Sequence, residues 1–191
     1  LCDEIYAEFD RTQLRSLFSI DPNLGIVTTS FTKAYGLGGL KFGVALAEKR
    51  LVDELYQDVL NTVGNSPNVL QLMVKKLLTE NNAELESHKE KWTCLRKETE
   101  EKLNEKGFEY FPNTIGVTYW VKMNVSDTHK WVNNLAIPKH SLAPVPGAFF
   151  LFENGYKLAK SNMIRLGLGN LVPEKSILTD AFDIIELALR E

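Results

Sequence analysis

Apolar positions change their period several times along this chain, and each change marks an element. Gly25-Ile26-Val27-Thr28-Thr29-Ser30 is compact and β-branched behind the turn signal Asp21-Pro22-Asn23, which predicts a buried strand. Phe42 to Ala47 predicts a second strand. Between the two lie a polar loop with a lysine and the glycine-dense Gly36-Leu37-Gly38-Gly39. From Glu48 the spacing turns helical, with Leu51, Val52, Leu55, Tyr56, Val59, Leu60 and Val63 on one face. Gly64-Asn65 interrupts that face. Ser66-Pro67 then predicts an N-cap followed by proline at the first helical position. A second helix runs through Val69, Leu70, Met73, Val74, Leu77 and Leu78.

The charged stretch from Ala83 to Lys106 predicts a long helix with Leu85, Trp92, Leu95 and Leu103 on one side and Gly107 as its stop. Beyond it the pattern is mixed α and β. Val117 to Val121 predicts a strand, and Asp127 to Leu135 a short helix capped by Ser126 or Asp127. Leu142 to Val145 and Met163 to Leu166 predict further strands. Pro173 opens a last helix with Ile177, Leu178, Ala181, Phe182, Ile185 and Leu187 on its apolar side. There is no internal repeat. The chain opens Leu1-Cys2-Asp3-Glu4-Ile5-Tyr6 without a methionine, which reads as a strand end running into a loop, so a segment upstream is expected.

Composition narrows the function classes. The 191 residues suit one to two domains at roughly 100–200 residues each. With 22 basic and 25 acidic side chains the net charge is -3, which argues against nucleic acid, whose binders carry a basic face. No apolar run approaches the roughly 20 residues that span a bilayer, and no secretory signal is present, so a cytoplasmic location with no membrane partner is expected. Cys2 and Cys94 make no metal or redox spacing and read as free thiols. His88, His129 and His140 share no metal spacing; His88, among helix charges, is expected to be exposed. Trp92, Trp120 and Trp131 read as packing residues, and Glu4 and Glu8 as loop charges.

Chemistry concentrates between Ser30 and Gly43. A lysine, Lys33, sits just past a buried strand and next to glycines, which permit close approach of backbone to a ligand. The hydroxyls of Ser30 and Thr32 and the cation of Lys41 suit an anionic group such as a phosphate. A partly desolvated lysine in such a place can attack a carbonyl to form a Schiff base. A structural surface lysine beside a glycine turn has the same local sequence.

The stretch Ser30-Phe31-Thr32-Lys33-Ala34-Tyr35-Gly36-Leu37-Gly38-Gly39-Leu40-Lys41 resembles the cofactor-lysine motif of class I/II aminotransferases, which are fold-type I pyridoxal-phosphate enzymes. The family shows a serine, a lysine three residues later, a Gly-Leu-x-Gly-Leu turn and a cation; here the cation is Lys41, at 41 − 33 = 8 residues past Lys33. The resemblance implies that Lys33 is the catalytic Schiff-base lysine for pyridoxal 5'-phosphate, with Ser30 and Lys41 as phosphate ligands. The family usually has arginine at the last position, and lysine lacks its bidentate fork. Asp3-Glu4-Ile5-Tyr6 is similar to the segment whose aspartate pairs with the pyridine nitrogen and whose tyrosine bonds the phenolic oxygen, which gives those roles to Asp3 and Tyr6. Met163-Ile164-Arg165-Leu166-Gly167 is similar to the strand presenting an arginine to the substrate α-carboxylate, which gives that role to Arg165. Pro144 to Phe149 resembles the Pro-Gly turn ahead of that strand and reads as scaffold.

The resemblance covers nearly the whole chain but only the second half of the family's usual length. It implies an α/β fold: part of the large cofactor-domain sheet over residues 1–47, connecting helices over 48–80, and the small C-terminal α+β domain over 81–191. The implied activity is transamination between an amino acid and a 2-oxo acid in a homodimer, for the parent enzyme; the chain alone is expected to be inactive. The family's upstream phosphate loop, ring-stacking aromatic and asparagine have no counterpart here, and no second substrate-side arginine can be assigned. The amino-donor side chain is not disclosed. Other readings stay open: a lyase, decarboxylase or synthase of the same fold, a non-catalytic fragment, or a regulatory aminotransferase-like module.

Overall fold

The structure, a computed structural model, describes residues 1–9, 15–80, 83–112, 115–151, 159–168 and 175–190. The chain divides into two compact units, Leu1–Trp92 and Thr93–Glu191.

In the first unit a short strand β1 (Cys2–Asp3) leads into a 3-10 turn (Ala7–Phe9), and a single helical turn α1 (Leu17–Ile20) precedes β2 (Val27–Ser30) and β3 (Gly43–Leu46). The sheet order is β1-β2-β3, with β1 parallel to β2 and β3 antiparallel to it. Val27, 1% exposed, anchors the middle strand. The unit continues through α2 (Lys49–Thr62), α3 (Asn68–Thr79) and the first half of α4 (Ala83–Glu105). The start of α3 differs from the sequence expectation. Pro67 is the cap residue itself, at ψ 132°, and the cap has no side-chain hydrogen bond. Extended backbone at Pro67 leaves the first helical position to Asn68, and the Ser66 carbonyl is taken up by Gln71 Nε2 at 2.9 Å.

The second unit is α+β. Strands β4 (Tyr110–Phe111), β5 (Thr118–Lys122), β6 (Val145–Pro146) and β7 (Met163–Gly167) form one antiparallel sheet in the order β4-β5-β7-β6. Residues alternate faces along a strand, so Tyr119, Val121, Ile164 and Leu166 turn to the core while Trp120 and Arg165 lie on the other side. Tyr119 reaches α4, where its hydroxyl donates to Glu100 Oε1 at 2.9 Å. Burial, then the neighbouring Glu100 carboxylate, push the Tyr119 phenol well above its ordinary range. Thr99 and Arg96 of α4 are also buried, which the apolar pattern had not marked; Thr99 Oγ1 closes on the Leu95 carbonyl at 2.7 Å. Lys106, past the end of α4, bridges Asp183 and Glu186 at 2.8 and 2.6 Å.

Helix α5 (Thr128–Trp131) is capped by Asp127, whose carboxylate accepts the Lys130 N–H at 3.2 Å. A π-turn (Val132–Ala136) and α6 (Ile137–His140) continue it. Pro138 explains the π-turn: it has no N–H and its ring crowds the carbonyl four residues back, and Ile137 N–H bonds the Val132 carbonyl instead. The strand expected at Leu142 to Val145 shrinks to Val145–Pro146 because the prolines flanking Val145 cannot donate, a pattern tolerated on a sheet edge. Helix α7 (Lys175–Arg190) buries Phe182 and Ile185; Leu187, expected on the same side, is 52% exposed. Pro173 lies outside the described residues, as do the side chains of Leu85, Ile177 and Leu178.

Candidate active site

Parallel pairing decides where the chemistry of the first unit gathers. β1 and β2 run the same way with Asp3 opposite Thr28, so both strands end at one edge of the sheet, the edge at which ligands sit in open parallel sheets. Asp3 is the last residue of β1 and Ser30 the last of β2. Ser30 also pairs with Gly43, the first residue of β3, so the loop from Phe31 to Phe42 leaves and returns at that edge, carrying Lys33 and Lys41. Asp3, Tyr6, Ser30, Lys33 and Lys41 are thereby gathered at one end of a three-stranded sheet.

Local bonds hold these residues. Asp3 Oδ1 accepts the Ile5 N–H at 3.0 Å, which turns the chain after β1. Ser30 Oγ accepts the Thr32 N–H at 3.0 Å and keeps its own proton for another acceptor. Gly36, at φ 65°, donates to the Lys33 carbonyl at 3.2 Å and closes a turn that opens on Lys33. Lys41 occupies the left-handed region at φ 50°, a conformation costing an ordinary side chain about 1–2 kcal/mol. Both lysines are exposed, and neither makes an ion pair among the described residues. Lys33 is thus exposed in the structure, where a partly desolvated setting was expected.

Arg165 belongs to the second unit. It lies in mid-strand on β7, between Trp120 of β5 and Val145 of β6. Its guanidinium carbon stands 5.2 Å from the Phe150 ring centre, and Phe150 meets Trp120 edge-on at 4.9 Å. Arg165 Nε is buried with no hydrogen-bond partner among the described residues.

Three residues read as ordinary from the sequence have defined places. Glu4 accepts the Leu17 N–H at 2.8 Å and so seats α1. Glu8 accepts the Tyr35 hydroxyl at 2.9 Å. His88, expected to be exposed, is half-buried against Gly36 and accepts the Trp92 indole N–H at 2.9 Å. Nothing in the local charge pattern of the helix signals this; only the helical i, i+4 spacing to Trp92 does. Cys2 and Cys94 are free thiols. No group of metal-ligating residues is found among the described residues, and none of their helices is long and apolar enough to cross a membrane.

Comparison with known proteins places this geometry. The family model of aminotransferase class I and II matches residues 1–171. The chain belongs to the class I and II aminotransferase family. Family membership implies dependence on pyridoxal phosphate. Over 55 residues the chain is 44% identical to the histidinol-phosphate aminotransferase of Thermococcus gammatolerans, covering 29% of this chain and 16% of that protein. Among solved structures it resembles an aromatic aminotransferase from Pyrococcus horikoshii, with TM-score 0.82 and 18% identity over 98% of this chain and 50% of that one. It also resembles the α-aminoadipate aminotransferase of Thermus thermophilus, with TM-score 0.81 and 22% identity over 98% and 49% of the two chains. At those identities the likeness concerns the fold, and it is that of fold-type I aminotransferases. The chain spans about half the length of these solved relatives.

Proposed function

We propose that this chain carries the pyridoxal phosphate site of an enzyme that exchanges an amino group between an amino acid and a 2-oxo acid. One observation carries the reading: parallel β1 and β2 end at one edge of the sheet, so Asp3 and Ser30 share that edge with the loop that carries Lys33 and Lys41. The arrangement fits the cofactor on charge. One strand end offers an anion, and the next offers a hydroxyl and two ammonium groups. That polarity suits a molecule with a basic ring nitrogen at one end and a phosphate at the other. The Thermus thermophilus relative supports it, since that protein was captured with N-(5'-phosphopyridoxyl)-L-leucine.

Pyridoxal phosphate, when bound, supplies an electron sink for negative charge developing at the substrate α-carbon. The chain's own residues do the rest. Asp3 holds the ring nitrogen protonated through its carboxylate. Tyr6 donates its hydroxyl to the phenolic oxygen. Ser30 and Lys41 hold the phosphate, Lys41 as a point charge. Lys33 in its neutral form is the nucleophile toward the carbonyl carbon. As a positioned general base, Lys33 Nζ would take the proton from the substrate α-carbon and deliver it to the former carbonyl carbon. Arg165 holds the α-carboxylate bidentately, which gives its unpartnered Nε an acceptor.

Two further parts of the reading concern the whole protein. A homodimer would cover apolar side chains such as Tyr56, Val63 and Leu72, which are 50%, 81% and 65% exposed. A reducing compartment, the cytoplasm, suits two unpaired thiols. The test of the function is Lys33→Ala in the full-length protein, which should lower transamination more than about a thousandfold. Undiminished transamination would overturn it.

A further inference from the structure

We propose that His88 is a positioning residue: seated on Gly36 and held there by Trp92, it fixes the loop that carries Lys33 to helix α4. The inference rests on the reading of Lys33 given above.

The contact is close. A Cβ on Gly36 would lie 3.2 Å from both Cε1 and Nε2 of His88, so the imidazole occupies the space that a side chain would fill. Gly36 is also the residue that closes the turn onto the Lys33 carbonyl. What touches Gly36 therefore limits where Lys33 can go. His88 is itself held. Indole is a donor only, so the 2.9 Å bond from Trp92 Nε1 makes His88 Nε2 an acceptor and puts the ring proton on Nδ1. Trp92 in turn meets the buried Phe9 ring edge-on at 6.0 Å.

A second contact runs beside the first. Lys89 places its ammonium 5.6 Å from the centre of the Tyr35 ring, and Tyr35 donates its hydroxyl to Glu8. Two consecutive residues of α4 thus touch two consecutive residues of the loop. Glu8 and Phe9 lie one residue beyond the segment Asp3 to Tyr6, so one turn of α4 ties both strand-end segments together. A surface histidine on a solvated helix face would show none of this convergence.

The experiment compares wild type, His88→Leu, Trp92→Phe and His88→Gln in the full-length protein by amide hydrogen exchange, read on the peptide covering residues 34–41. Losing the indole–imidazole bond in His88→Leu or Trp92→Phe should speed exchange there about five- to tenfold, the worth of one net hydrogen bond. Glutamine offers a carbonyl acceptor and should stay within about twofold of wild type. His88→Leu exchanging like wild type, or His88→Gln exchanging like His88→Leu, would overturn the proposal. Wild type is also treated with pyridoxal phosphate and borohydride. Exchange that follows the variants while the label lands away from Lys33 upholds the positioning role of His88 and overturns only the reading of Lys33.

Discussion

Asp3 stands opposite Thr28 in the parallel ladder of β1 and β2, with Ser30 two residues farther along the same strand. At about 3.3 Å per residue and about 4.8 Å between strands, the backbone alone sets the Cα atoms of Asp3 and Ser30 about 8 Å apart. The two residues are assigned different ends of the cofactor, so their substitutions should part company. Asp3→Ala should lower turnover roughly ten- to a hundredfold, the range of a hydrogen bond to a charged group, while cofactor affinity falls little. Steady-state kinetics with a cofactor titration separates the two; a loss confined to affinity would contradict the assignment of Asp3.

Lys41 joins a strained backbone to a cation with no ion pair among the described residues. At φ 50° a glycine is relieved of the Cβ clash. Lys41→Gly should therefore stabilise the fold by up to about 1 kcal/mol and at the same time weaken cofactor binding by about tenfold or more through loss of the charge-assisted bond. Lys41→Arg should restore binding. Denaturant unfolding and a cofactor titration on the same samples check both; a glycine variant that binds as well as wild type would remove Lys41 from the phosphate site.

Gly147 sits where β6 gives way to a 3-10 turn (Gly147–Phe150), packed against β7. An added Cβ would lie 2.7 Å from the Met163 carbonyl oxygen and closer still to Ser161 Oγ. Backbone cannot step aside cheaply, so Gly147→Ala should destabilise the second unit by about 1–3 kcal/mol. Urea unfolding measures this, and an unchanged midpoint would show that the strand shifts freely.

The elements were legible where one periodicity ran long enough to decide them. Strands β2, β5 and β7 and helices α2 to α4 follow directly from apolar spacing, as does the stop at Gly107, which takes φ 70°. Two-residue strands such as β4 carry too little pattern to be seen, and β6 was overdrawn because prolines contribute apolar character but no donors. In the site, the spacing of Ser30, Lys33 and Lys41 was visible because the loop is local. The setting of His88 was not, since its partner Gly36 lies fifty-two residues away and only the tertiary fold brings them together. The exposure of Lys33 was equally hidden, because local sequence does not say which other residues cover a loop.

His88 gives the molecule a pH dependence with a definite sign. Burial first, then the charge of Lys91, hold its folded pKa below the ordinary 6.5. Titratable groups of the elements packed around it include Glu86, Lys89, Glu90 and Lys91 on α4, Lys33 and Tyr35 on the loop, and Glu8 ahead of Phe9. Between the folded pKa and 6.5 the unfolded chain binds more protons, so stability rises with pH across that window. The contribution is complete above 6.5 and is lost as pH falls toward the folded value. His88→Gln should flatten the stability profile below pH 6.5, followed by urea unfolding at a series of pH values; an unchanged slope would show that His88 is not the titrating group.

The most direct test of the account is covalent. The full-length protein is incubated with pyridoxal phosphate, reduced with borohydride, digested, and the tagged peptide is mapped by mass spectrometry. The account predicts a single tag on Lys33, absent from Lys33→Ala. Tags scattered over surface lysines, or one tag at another lysine, would contradict it.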